Sequence, residues 1–180
     1  MPHISLPPMP GIVGLMQYRQ DTGRALSVLA ETLLRGESPL TRGERELIAA
    51  HVSRGNGCHF CHRSHAAFAA AQLDGGEEFV AATLSDVPGS KLAPKMKALL
   101  GIADHVRELG THVTEADIAE ARAAGATDRE LHDTVLIAAA FCMFNRYVDG
   151  LGTIAPPEGD AYREMAARIV GDGYVAAGPA

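Results

Sequence analysis

The chain has no tryptophan, only three cysteines, and aromatic residues make up 5% of its 180 positions. Scarce aromatics beside a 47% hydrophobic content rich in Ala, Leu, Val and Ile argue against a β-sandwich, whose strands favour aromatic and β-branched residues. The formal net charge is −6, and no basic stripe offsets it. This excludes a general nucleic-acid binder, because phosphate binding depends on clustered Lys and Arg. No uncharged apolar run approaches the ~18 residues that a membrane-spanning helix needs. The opening MPHISLPPMPG has neither the basic nor the apolar region of a secretory signal. Three cysteines, two of them in a C-x-x-C, do not make a secreted disulfide framework. The expected setting is therefore cytoplasmic and reducing, where such a pair is catalytic or metal-binding.

What is present is helical punctuation. Four prolines in the first ten residues predict an extended arm. Leu26, Leu29, Ala30, Leu33 and Leu34 form a helical stripe, with an interruption expected near Gly23. Thr41 with Glu44, and Thr127 with Glu130, are capping-box spacings that open helices. The first of these should run through ELIAAHVSR and stop at Gly55-Asn56-Gly57. A further helix should begin near Cys58 and continue through AAFAAAQL. Shorter helices are expected over about 77–84, 91–109 and 114–124, and one beginning near Thr127 should be the most buried. A last helix over about 160–170 precedes a Gly-rich tail, residues 171–180. No segment alternates with a strand period. The expectation is an all-α single domain, residues 1–180, of about seven or eight helices. The arm and tail, poor core material in a monomer, suit contacts with a neighbouring subunit.

The densest chemistry is GNGCHFCHRSH, residues 55–65. Tetrahedral zinc usually draws on two separated ligand pairs. Only one pair is here, Cys142 stands alone in an apolar helix, and His3, His51, His105, His112 and His132 are scattered singly. His59, His62 and His65 spread around a helix instead of converging. No metal is therefore expected. A dithiol fits better. A C-x-x-C in the first turn sits at the positive end of the helix dipole, which favours thiolate. His65 follows Cys61 by one turn on the same face and can take or relay a thiol proton, whereas His62 lies off that face and is expected to be solvated. In an antiparallel hairpin about Gly-Asn-Gly, Glu46 and His65 lie ~13 and ~10 Å from the turn, so they can meet. On spacing alone Glu46 is equally readable as a buried relay carboxylate or as a solvated first-turn residue.

The four positions Glu46, Cys58, Cys61 and His65, with their gaps of eleven, two and three residues, resemble the pattern of the alkylhydroperoxidase D-like proteins of the carboxymuconolactone decarboxylase superfamily. FNRYVDGLG, residues 144–152, resembles a segment of the peroxidase-related branch. The resemblance implies an all-helical fold assembled as trimers or hexamers, and cofactor-free thiol peroxidase chemistry. Carried over, it makes Cys61 the peroxidatic thiol, Cys58 the resolving thiol, and Glu46 and His65 the proton relay. It also implies a peroxide substrate and a dithiol, thioredoxin-like or lipoyl reductant. Phe60 stands where the best-known members carry a histidine, which favours the peroxidase-related branch. Other readings of the same residues are a cofactor-free lyase like the superfamily's decarboxylases, a disulfide-exchange or redox-sensing protein, and a zinc-binding module. Cys142 reads as a small buried hydrophobe. Asn145, Arg146 and Asp149 read as an internal polar network or a subunit contact, and His51 as structural.

Overall fold

The computed structural model describes residues 1–157 and 159–176. Among these, nine α-helices and one short 3₁₀ turn carry the fold, and there is no strand. The helices are α1 (Gly11–Tyr18), α2 (Gln20–Arg35), α3 (Arg42–Gly55), α4 (His59–Ala70) and α5 (Gly76–Ser85). They continue with α6 (Pro94–Glu108), α7 (Glu115–Ala123), α8 (Asp128–Gly150) and α9 (Asp160–Ala176). The all-α expectation holds, with slightly more helices than expected. No helix among the described residues is long and apolar enough to cross a membrane.

The helix starts follow local chemistry. Both expected capping boxes form: the Thr41 hydroxyl accepts from the Glu44 amide and the Thr127 hydroxyl from the Glu130 amide, with each glutamate reaching back to the cap's own N–H. A third box, Thr114 with Asp117, opens α7. Such caps satisfy amides that have no partner inside the helix, and each is worth about 1 kcal/mol.

Two boundaries differ from expectation. The break in the first helical stretch falls at Arg19, between α1 and α2, and not at Gly23. Gly23 lies within α2, where a Cβ would stand 2.6 Å from the Met16 carbonyl oxygen. This glycine serves close approach of α1 to α2, a role that looks like a helix break in one dimension. At the other end, the helix expected to stop near Val170 extends as α9 to Ala176, with a kink at Gly173 (φ 84°). Residues 171–176 of the Gly-rich tail therefore belong to the folded body, while 177–180 lie outside the described residues. The N-terminal arm likewise folds onto its own chain. The His3 amide donates to the Leu151 carbonyl (2.9 Å) and the Gly11 amide to that of Ile154 (2.8 Å).

α3 and α4 form an antiparallel hairpin, the most extensive helix pair among the described residues. α6 and α8 pack on α3 from one side, and α9 covers α4. The main core lies between α3, α6 and α8, with Ile48, Val52, Leu99, Leu100, Ile137 and Phe141 at its centre. A smaller apolar cluster surrounds the two hairpin cysteines. It brings together Leu15 of α1, Phe60 of α4, Val148 of α8 and Tyr162 of α9. Here α1 comes very close to the hairpin: Gly11 has φ 52°, and a Cβ on it would lie 2.2 Å from the Phe60 ring. Gly11→Ala should therefore combine left-handed backbone strain with displacement of Phe60, costing about 2 kcal/mol. Urea unfolding checks this as a lower midpoint at unchanged slope.

Candidate active site

Gly55-Asn56-Gly57 makes the turn that sets the site. α3 ends at Gly55, and Gly57 takes φ 74°, a conformation that favours glycine. The turn is tied down from α8: Asn56 donates to the Asn145 side-chain oxygen (2.9 Å), and Asn145 donates to Ser53 Oγ (3.0 Å). Asn145 is 1% exposed and Ser53 fully buried. The polar network expected at the end of α8 is real in Asn145. Arg146, in contrast, is exposed and donates to the Cys142 carbonyl, and Asp149 sits by Cys58. Cys142 is half-buried against the core, with its Sγ near the Asn56 amide group.

Cys58 is the residue before the first turn of α4, and Cys61 lies in that turn. Both are free and buried, walled by the small apolar cluster. The Cys58 thiol is held well above its ordinary range. Its hydrogen bond with Cys61 contributes most, then burial, then the charge on Cys61; Asp149 adds to this and the Cys61 amide opposes it.

The three histidines separate clearly. His59 is exposed. His62, expected to be solvated, is half-buried with Nδ1 at 3.2 Å from the Ala50 carbonyl, and burial pushes its ring below the ordinary histidine range. His65 turns inward, and its Nδ1 lies 2.6 Å from Glu46 Oε2. Glu46 is 1% exposed, which decides between its two readings in favour of the buried carboxylate. His51, read as structural, pairs at the surface with Asp104 (2.9 Å), and Arg107 links Asp104 to the Gly55 carbonyl. Among the described residues no group of three or more His, Cys, Asp or Glu is arranged to hold a metal ion.

The residue that sequence reasoning missed is Tyr174. Its hydroxyl donates to Glu46 Oε1 at 2.6 Å, so both carboxylate oxygens of Glu46 are occupied. Its ring stacks on His65 (centroids 6.4 Å apart, 18° between planes), while Phe141 meets the same imidazole edge-on at 4.5 Å. The available signal was an aromatic residue directly after Gly-Asp-Gly in a tail otherwise made of small residues. Burial, with the Glu46 charge behind it, holds the Tyr174 phenol well above its ordinary range.

Residues 20–105, which contain Glu46, both hairpin cysteines and His65, match the model of the Carboxymuconolactone decarboxylase family. The chain is thus similar to the carboxymuconolactone decarboxylase family over just under half of its length. No curated protein matches it. Solved structures agree on the fold. A peroxidase-related protein from Silicibacter sp. TM1040 superposes with a TM-score of 0.77 at 24% identity, over 87% of this chain and 80% of that one. A peroxidase-related protein with an alkylhydroperoxidase AhpD core, from Ralstonia eutropha JMP134, gives 0.75 at 26% identity, over 88% and 81%. A protein from Agrobacterium tumefaciens, suggested to be the antioxidant defence protein AhpD, gives 0.70 at 22% identity, over 82% and 99%.

Two consequences of this arrangement are measurable. Asn145→Ala leaves Asn56 and Ser53 short of a partner at the hairpin turn, and should cost about 1–3 kcal/mol in chemical denaturation. Cys58 and Tyr174 both bind their protons more tightly in the folded than in the unfolded chain. Their contribution is therefore complete at neutral pH and is lost as pH rises above the unfolded values, near ~8.5 for cysteine and ~10 for tyrosine. Each then contributes a slope of about 1.4 kcal/mol per pH unit. Unfolding free energy measured from pH 7 to 11 should fall in two stages, the second absent in Tyr174→Phe.

Proposed function

We propose that this AhpD-like protein is a thiol-dependent hydroperoxidase that cycles Cys58 and Cys61 between dithiol and disulfide. The observation that carries the reading is the buried Glu46–His65 pair, hydrogen-bonded at 2.6 Å one helical turn beyond a C-x-x-C. A carboxylate and imidazole have little reason to be buried together at a helix–helix contact unless they move or hold a proton. The family match across the same residues and the peroxidase-related names of the fold neighbours support the same chemistry.

In this mechanism Cys61, as thiolate, attacks the outer oxygen of a hydroperoxide. The O–O bond breaks, the alcohol or water leaves with a proton supplied through His65, and Cys61 becomes a sulfenic acid. Cys58, still protonated, then attacks that sulfur. Its proton passes through the relay to the departing hydroxide, which leaves as water, and the Cys58–Cys61 disulfide forms. A dithiol, thioredoxin-like or lipoyl reductant returns both thiols. One hydroperoxide and two thiols thus give one alcohol, one water and one disulfide. The Leu15, Phe60, Val148 and Tyr162 wall keeps bulk water from the sulfenic acid and so favours disulfide over further oxidation. A reducing, cytoplasmic setting and a homo-oligomeric assembly complete the proposal.

One equivalent of peroxide added to the reduced protein should remove two hydrogens, mapped by mass spectrometry to a Cys58–Cys61 bridge. Cys61→Ser should abolish both this change and peroxide turnover. Cys58→Ser should abolish turnover but leave Cys61 able to form a sulfenic acid that a dimedone-type reagent traps. Full turnover in Cys61→Ser would sink the proposal.

A further inference from the structure

Tyr174 is bound in place by a construction that serves no other evident purpose. Arg35 of α2 donates to the carbonyls of Ile169 (2.9 Å) and Val170 (3.0 Å), which satisfies the unpaired carbonyls near the end of the regular part of α9. Glu31, paired with Arg35 at 3.1 Å, accepts the Tyr174 backbone N–H at 2.7 Å. Between these contacts Gly173 takes φ 84°, and a Cβ there would lie 2.6 Å from Glu31 Oε2. The chain therefore turns sharply after α9 and is clamped by one ion pair, with a single aromatic pointing inward. That aromatic ends on the carboxylate of Glu46.

We infer that Tyr174 is a positioning residue of the proton relay: its hydroxyl holds Glu46 as a carboxylate and thereby fixes the proton of His65 on Nδ1. The inference rests on the reading of Glu46 and His65 as that relay. Glu46 is buried and receives two hydrogen bonds, one at each oxygen. A neutral phenol can only donate to a carboxylate, so its bond strengthens the ionised form. An ionised Glu46 accepts the Nδ1 proton of His65 and leaves Nε2 as the face that exchanges protons. If Glu46 were protonated it could donate to Nδ1 instead, and the ring would carry its proton on the wrong side.

The charged and titratable groups around this carboxylate are few. α4 presents His65, and α9 presents Tyr174, with Arg168 lining the same small cavity beside His65. α2 places Glu31 and Arg35 behind Tyr174, α3 itself carries Arg45, and α8 contributes the apolar edge of Phe141. Of these, the two groups hydrogen-bonded to the carboxylate are His65 and Tyr174.

The test uses the whole protein and reads the relay apart from peroxide turnover. The rate of Cys61 alkylation by iodoacetamide is followed against pH, and the ring nitrogens of His65 are observed by ¹⁵N NMR. In Tyr174→Phe the ring and its stacking remain, so the fold should persist in a thermal melt. Its acid limb of Cys61 reactivity should move to higher pH by about one unit or more, the value of one hydrogen bond to a charged group. Over the same range His65 Nδ1 should lose its proton in the variant and keep it in the wild type. Glu31→Ala, which releases the Tyr174 amide from outside the site, should move both readouts the same way by less, and it decides the matter if Tyr174→Phe does not fold. A wild-type pH profile and wild-type Nδ1–H behaviour in a folded variant, with only a lowered melting temperature, would make Tyr174 a structural latch and overturn the inference. Lack of peroxidase activity in the wild type would count against the proposed turnover but leave both readouts intact.

Discussion

The arrangement depends on one buried carboxylate. Glu46 sits at the contact of three helices, and each makes a different contribution: α3 carries it, α4 brings His65, and the end of α9 brings Tyr174. A carboxyl group in so closed a place is tolerable only if its oxygens are hydrogen-bonded. Both are, each at 2.6 Å. That requirement links the hairpin to α9, and it explains why residues 171–176, with two glycines among them, are folded against the body.

The dithiol depends on a second constraint, the geometry of the hairpin turn. Gly-Asn-Gly stops α3 and starts α4 within three residues, which places Cys58 and Cys61 at the positive end of α4. The turn is held by Ser53, Asn56 and Asn145, so α8 sets the position of the cysteines at the turn, and its Phe141 ring also meets His65 edge-on. The Glu46–His65 pair is buried behind aromatic rings and the thiols behind Leu15 and Tyr162. The two halves of the site are thus one turn apart on α4, yet each is anchored by a different part of the chain.

Much of this was legible in sequence because the signals are local. The capping boxes at Thr41 and Thr127, the stop at Gly55–Gly57 and the similar depth of Glu46 and His65 all follow from spacings within one helix start or one hairpin. The misreadings have a common cause. Gly23 looked like a helix break because close approach to Met16 is invisible along the chain. His62 looked solvated because its burial comes from packing and from the Ala50 carbonyl. The tail looked like poor core material because glycines weaken a helix signal, whereas Gly173 is needed to turn Tyr174 inward against Glu31.

The sequence by itself determined the helical class, the main helix starts and the four positions of the Glu-Cys-Cys-His pattern, because caps, turns and helical periodicity act over a few residues. Only the tertiary structure decided that Glu46 is buried, that Asn145 clasps the turn, and that Tyr174 completes the carboxylate's shell. Glu46 and Tyr174 are 128 residues apart in the chain. No local propensity connects them, and their contact exists because α9 packs across α4 and is held there by Arg35 and Glu31.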